Sequence, residues 1–427
     1  MNKTFVKRVL KDFIDLGEIE IKTGPFGTQL HASDYVEQGT PVINVRNIGY
    51  GRIKNEKLEY INEETVQRLS SHLLKHNDIV FGRKGAVDRH ALIGFDQQEW
   101  FQGSDCLRIR IKSESLGPLF LSYYFLTDNH KKWMMAQCSH GATMASLNQD
   151  IISRISICLP RIEIQHKIAA ILSAYDDLIE NNTRRIKILE EMSQTIYNEW
   201  FVKFRFPGHE NAKMVPSDLG EIPEGWKTRK IGDIFTVVLG GTPSRKREDY
   251  WNGNIPWINS GKVNELRIIN ESEGITELGL KKSATKIMPV RTTVVAITGA
   301  TLGQISLTEI EVCANQSVVG IYDEKKTYSE YIFLKINEII NEIILKAGGG
   351  AQQHINKEII NETEIIIPPK NMVEEFNSDI KPIFNQISIL FFKNQNLRKT
   401  RDLLLPRLIS GEIDVSELDI DVGGITA

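Results

Sequence analysis

The chain contains itself twice. Asn148, Asp150, Ile151, Ile152 and Pro160 recur as Asn356, Glu358, Ile359, Ile360 and Pro368, at one constant interval of 208 residues. Only two copies exist, and each is far longer than a solenoid repeat, so each must build its own core and the product is pseudo-two-fold rather than an array. A length of 427 residues with 41% hydrophobic side chains supplies enough material for several such cores.

Composition along the chain alternates in the same rhythm. Residues 1–158 mix short β-rich runs, such as Pro41 to Val45 and Asp78 to Phe81, with glycine-marked turns at Gly24, Gly27, Gly39, Gly82 and Gly85. Residues 159–206 contain no proline or glycine after Pro160 and read as one long helix. Residues 207–367 open on a Pro/Gly-rich connector and then repeat the first block's character. Ile255-Pro256-Trp257-Ile258-Asn259 echoes Thr40-Pro41-Val42-Ile43-Asn44, and Thr293 to Ala296 with Gly299 and Gly303 echoes Asp78 to Phe81 with Gly82 and Gly85. Residues 368–427 are again helical, ending in an acidic tail from Gly411.

The two helices carry matched apolar seams. Alternating steps of four and three give Ile168, Leu172, Tyr175, Ile179, Asn182, Ile186, Leu189, Ser193, Ile196 and Trp200 in one, and Phe376, Ile380, Ile383, Ile387, Leu390, Asn394, Leu397, Arg401, Leu404 and Leu408 in the other. Such a heptad pattern suits a coiled coil. The plainer alternative is that each helix covers only its own domain. If the helices pair antiparallel, a register in which partner numbers sum to 576 sets Asn182 opposite Asn394 and Trp200 opposite Phe376. A buried Asn pair satisfies both amides and penalises slipped registers. Ser193 and Arg401 interrupt the seams without a partner in this scheme. About 37 residues of helix spans about 55 Å, the right length to hold two β-rich blocks at the ends of a rod. The fold class expected is therefore α+β, with two β-rich mixed domains and two long helices packed as an antiparallel coiled coil.

Other classes are disfavoured residue by residue. Cys106, Cys138, Cys158 and Cys313 show no CxxC or Cys/His spacing, so no metal site is proposed and reduced thiols in a cytoplasmic protein are expected. No segment has the roughly 20 apolar residues of a membrane span. The sole Pro-Pro, Pro368-Pro369, lies between Ile367 and Lys370 and lacks the flanks of an adenine methyltransferase motif, while Gly261-Lys262 is followed by Val263 and makes no Walker A. Net charge −3 and a pI near 6.4 do not advertise a nucleic-acid binder, so any DNA contact must come from local basic loops.

Ile188 to Met192 with Tyr197 to Gly208, and Leu397 to Ile413, resemble the central and C-terminal conserved regions of the specificity subunit of type I restriction-modification enzymes. Gly24 to Leu30 with Ser33-Asp34-Tyr35 looks like a first target-recognition domain of that family, and Gly240 to Ser244 with Tyr250-Trp251 and Ile255 to Ile258 like a second. The resemblance covers essentially the whole chain. It implies a non-catalytic subunit that reads a bipartite site in double-stranded DNA, one half per domain, with the helices as a ruler for the gap. It further implies two methyltransferase subunits docked on the helices, which transfer a methyl group from S-adenosylmethionine to adenine N6. Restriction subunits using ATP and Mg join for cleavage, and this chain binds none of these cofactors. A methyltransferase-only complex without a nuclease is the alternative within the family. Outside it stand a single-chain enzyme and a coiled-coil scaffold that does not read DNA; the latter predicts that the β-rich blocks are dispensable.

Bases are read by Arg, Lys, Asn, Gln and hydroxyl side chains, while phosphate contacts position the protein. Loops offering such groups beside glycine are the candidates. They are Gln29, His31, Arg46, Arg83, Lys84, Arg89 and Thr143 in the first block, and Arg245, Lys246, Arg247, Lys262, Thr298, Thr301, Gln352, Gln353 and His354 in the second.

Overall fold

A computed structural model describes residues 5–138, 145–346 and 354–423. The chain folds as two compact units, Met1–Ile179 with Leu397–Ala427, and Glu180–Asn396. Both long helices, Ile162–Tyr197 and Lys370–Ile409, contribute to each unit.

In the first unit a five-stranded sheet runs in the order Ile19–Thr23, Cys106–Ile111, Ile79–Gly82, His90–Leu92, Tyr50–Gly51. Every neighbouring pair is antiparallel except the last, which is parallel. A four-stranded sheet orders Tyr35–Val36, Glu59–Ile61, Thr40–Ile43 and Phe101–Gln102, again with one parallel pair at its end. A ribbon joins Val6–Val9 to Ser156–Leu159. The strand Ile79–Gly82 is buried on both faces, because its apolar run Ile79, Val80 and Phe81 meets a different cluster on each side. One of these clusters includes Phe120, Leu121 and Phe125 from the helix Pro118–Leu126, which starts with proline where no amide donor is needed.

The second unit repeats this plan, without a counterpart of the strand Tyr35–Val36 and with an added hairpin of Met214–Ser217 and Gly220–Pro223. Its five-stranded sheet orders Thr236–Leu239, Val318–Tyr322, Thr293–Ala296, Ile305–Thr308 and Arg267–Ile268, with the same directions and the same parallel last pair. Glu273–Ile275, Trp251–Ile258 and Cys313–Ala314 form its second sheet, and Lys227–Lys230 pairs with Glu364–Ile367 as the ribbon. The repeated Asn of the sequence has a shared physical task. Asn148 Oδ1 accepts the Ile151 amide at 2.9 Å and Asn356 Oδ1 the Ile359 amide at 2.8 Å, so each caps the short helix that precedes its ribbon strand.

The long helices pair antiparallel within each unit. In the first, Ile168, Leu172 and Leu408 are buried in one cluster, and each such side chain removed from water contributes about 1.5–3 kcal/mol. In the second, Ile186 packs with Ile387 and Leu390, and Trp200 meets Phe376 with ring centroids 5.6 Å apart. Asn182 Nδ2 donates to Asn394 Oδ1 at 2.9 Å.

Two seam interruptions that the helix pattern left without partners have them. The Arg401 guanidinium donates to the Asp176 carboxylate, which also accepts the Tyr123 hydroxyl at 2.7 Å. Ser193 Oγ donates a hydrogen bond to the Leu189 carbonyl at 2.8 Å, and its small side chain helps line a cavity of about 270 Å³ beside Arg267, Phe333 and Phe384.

The first long helix stops earlier than expected. It passes into a π-helical turn at Asn198–Val202, and Phe204 then adopts a φ of 55°, its ring held edge-on to Trp226 at 5.5 Å. The acidic tail is anchored too: Val415 is buried in the first unit's core, and Lys167 Nζ donates to the Ser416 carbonyl at 2.7 Å. No described helix is long and apolar enough to cross a membrane.

Candidate DNA-reading surfaces

In each unit a loop leaves the first strand of the five-stranded sheet and is pinned by glycine against the backbone beyond the parallel edge strand of the second sheet. A Cβ placed on Gly24 would stand 2.0 Å from the Gly103 carbonyl oxygen, and one on Gly240 would stand 2.1 Å from that of Asn315. Neither approach tolerates a side chain. The loops so pinned are those that carry Gln29 and Arg245.

In the first unit Gln29 is exposed, and its Oε1 accepts the Phe26 amide, making the turn that leaves Phe26 at the surface. His31 is exposed beside it, its amide bonded to Asp34. Arg46 forms an ion pair with Glu59 at 2.6 Å, and Asn44 Nδ2 donates to the other oxygen of the same carboxylate at 2.6 Å. Arg83 and Lys84 sit in the turn after Ile79–Gly82, with Lys84 Nζ 3.1 Å from the Asp105 carboxylate. Arg89 lies 5.6 Å over the half-exposed ring of Tyr50, whose hydroxyl donates to Asp88 at 2.8 Å. Thr143 lies outside the described residues.

In the second unit the Arg245 fork is engaged on two sides. Nη1 and Nη2 donate to the two oxygens of Glu273 at 2.6 and 2.8 Å, and the guanidinium carbon stands 3.6 Å from the centroid of the Trp251 ring. The hydrogen bonds raise the Arg245 pKa and lower that of Glu273, so both are charged at neutral pH. Arg247 folds back on Asp249 within its own loop, with hydrogen bonds of 2.9 and 2.6 Å, and lies 5.1 Å over Tyr250. Lys246, between them, is exposed. Lys262 sits in the turn after Trp251–Ile258 and pairs with Glu265 at 2.7 Å. Thr298 and Thr301 frame Gly299, the turn equivalent to that of Arg83 and Lys84. His354 is exposed, and Gln352 and Gln353 lie outside the described residues.

The basic loops therefore present guanidiniums held by acidic and aromatic neighbours. Sequence reading missed Tyr50, Glu59 and Glu273, and named Trp251 only for the resemblance that it carries. The available signal was an acidic residue inside a short strand, with a basic residue in a turn close by. It also missed Arg267, buried between Phe333 and Phe384 at 4.9 and 5.1 Å and flanked by Glu190 and Glu309 at 3.7 and 3.4 Å, which is part of the core. Among the described residues no group of three or more His, Cys, Asp or Glu side chains is arranged to hold a metal ion.

Two domains that share a five-stranded sheet and a glycine-pinned loop define a duplicated recognition protein. The chain matches the family described as type I restriction modification DNA specificity domain over residues 2–191 and again over 223–396, and it belongs to that family. It is 29% identical over 308 residues to the type I restriction enzyme MjaIX specificity subunit of Methanocaldococcus jannaschii, a match covering 70% of each chain. With the type I restriction enzyme HindI specificity subunit of Haemophilus influenzae it shares 23% identity over 435 residues, 87% of this chain and 94% of that one. Its fold is similar to the crystal structure of the type I restriction-modification S subunit from M. genitalium, with a TM-score of 0.62 at 14% identity, covering 96% of this chain and 97% of that one.

Proposed function

We propose that this chain is the DNA-reading subunit of a type I restriction-modification complex and that each unit reads one half of a bipartite site. The observation that carries this is the repetition of one five-stranded sheet and one glycine-pinned loop in both units, with an exposed arginine held by a glutamate of the second sheet in each. Guanidiniums of fixed orientation suit guanine O6 and N7 in the major groove. Two heads with different loops read two different half-sites.

The chemistry belongs to partners. Two methyltransferase subunits dock on the paired helices and transfer the methyl group from S-adenosylmethionine to adenine N6. Restriction subunits supply ATP- and Mg-dependent cleavage. This chain's contribution is to bind and orient the duplex in the cytoplasm. The test is to express it with its methyltransferase partner and map methylated adenines by single-molecule sequencing. A split recognition sequence with a fixed gap supports the reading, whereas methylation without sequence preference contradicts it.

A further inference from the structure

The two heads share one feature that the sequence repeat does not reveal. In the first, Thr40, Pro41 and Val42 pair with Ile61, Tyr60 and Glu59, and Val42 pairs on its other side with Phe101. In the second, Ile255, Pro256 and Trp257 pair with Ile275, Gly274 and Glu273, and Trp257 pairs with Cys313. Glu59 and Glu273 therefore occupy one and the same register position. Each holds an exposed arginine, yet the arginines come from different loops: Arg46 follows the middle strand, and Arg245 follows the first strand of the other sheet.

We infer that Glu59 and Glu273 are positioning residues for base recognition, each restraining the arginine that reads one base of its half-site, Glu273 through two hydrogen bonds and Glu59 through one ion-pair contact. This rests on the reading of each unit as a DNA-reading head. The pairs are about half exposed, with side-chain exposures of 48% and 44% for Arg46 and Glu59 and 53% and 41% for Arg245 and Glu273, so they add little to stability. A carboxylate on a surface meant only for phosphates would weaken binding by repulsion. Its consequence is orientational. Arginine loses much rotamer freedom on binding a base, and a guanidinium already held by a carboxylate, and in the second head stacked on Trp251, has lost most of it beforehand. Because Glu273 accepts from Nη1 and Nη2, the Nε side of the Arg245 fork is the one left to meet a base edge.

The experiment uses the complex with its methyltransferase partner and a DNA library randomised across both half-sites, scored for methylation position by position. Glu273→Gln should lower discrimination about tenfold at one position of one half-site. Arg245→Lys, which keeps the charge but loses the fork, should relax that same position, and Glu59→Gln one position of the other half-site. Global destabilisation would lower methylation at all positions together, so a loss confined to one position separates positioning from a structural role. A uniform loss, an unchanged profile, or both glutamine variants acting on the same half-site would overturn the inference. Arg245→Lys carries the test should Glu273→Gln fail to fold. A wild-type complex with no sequence preference would overturn the specificity reading itself, whereas a selective wild type with an intact Glu273→Gln profile would remove only the glutamate's role.

Discussion

The amide of Asn182 donates to the amide oxygen of Asn394 at 2.9 Å, both residues buried, and Asn394 Nδ2 reaches Thr183 Oγ1 at 3.3 Å. The pair sits among isoleucines and leucines and fixes which layer of one helix meets which layer of the other. Changing Asn394 alone to Leu strands the Asn182 amide and should destabilise by about 1–3 kcal/mol. The double change to Leu removes both desolvation costs and should melt higher than either single variant while admitting slipped registers. Thermal melts, with cysteine cross-links placed one heptad out of register, check both parts. A double variant no more stable than the single ones contradicts this account.

Asp176 serves two donors, Arg401 and Tyr123, at a layer where the seam turns polar. Asp176→Asn should cost about 1–3 kcal/mol, because the partly buried Arg401 guanidinium is left with only the exposed Asp402 as counter-charge. Replacing Arg401 with Met, Asp176 with Leu and Tyr123 with Phe together should recover most of that loss, since no buried polar group is then left without a partner. Urea denaturation of the two variants beside the wild type measures it.

Acid should weaken the first unit before it weakens its ion pairs. Burial pushes His90 and His130 down to about 3, so both are neutral in the folded protein, while in the unfolded chain they protonate near 6.5. Their contribution is complete above about pH 6.5 and is lost progressively as pH falls towards 3, since the unfolded state takes up the protons. His130→Phe, which suits the ring contacts with Phe125 and Tyr124, should flatten the fall of melting temperature between pH 6.5 and 4. A slope equal to that of the wild type would show that this histidine does not contribute.

How far the sequence disclosed the molecule depends on the length scale of the signal. The seams specified the helix pair down to the Asn182 and Asn394 layer, because burial enforces a period over many turns. Arg401 was legible only as an anomaly, since Asp176 lies off the seam and the Tyr123 partner comes from a distant helix. At the candidate surfaces, Arg46 and the loops Arg83 to Arg89 and Arg245 to Arg247 stood out by charge beside glycine. Glu59 and Glu273 did not, because strand register is set by pairing across loops of unequal length, and matching Pro41 to Pro256 misplaces Glu59 by one residue. Thr143, Gln352 and Gln353 fall outside the described residues.

Purified alone, the chain should bind neither S-adenosylmethionine nor ATP and should leave DNA unmodified, because it lacks the sequence motifs for both. Calorimetric titration with each cofactor and a methyl-transfer assay test this. Methyl transfer by the isolated chain would contradict the division of labour, and its appearance on adding the methyltransferase subunit would support it.

The central claim is that each unit reads its half-site independently. The most direct measurement replaces residues 18–157 with the matching block of a relative and maps the methylated adenines of a genome carrying the hybrid complex. The first unit's five- and four-stranded sheets lie within that block and build two apolar clusters wholly inside it, so one half of the recognised sequence should change while the other half and the gap stay as they were. A hybrid that altered both halves, or shifted the spacing between them, would contradict independent reading.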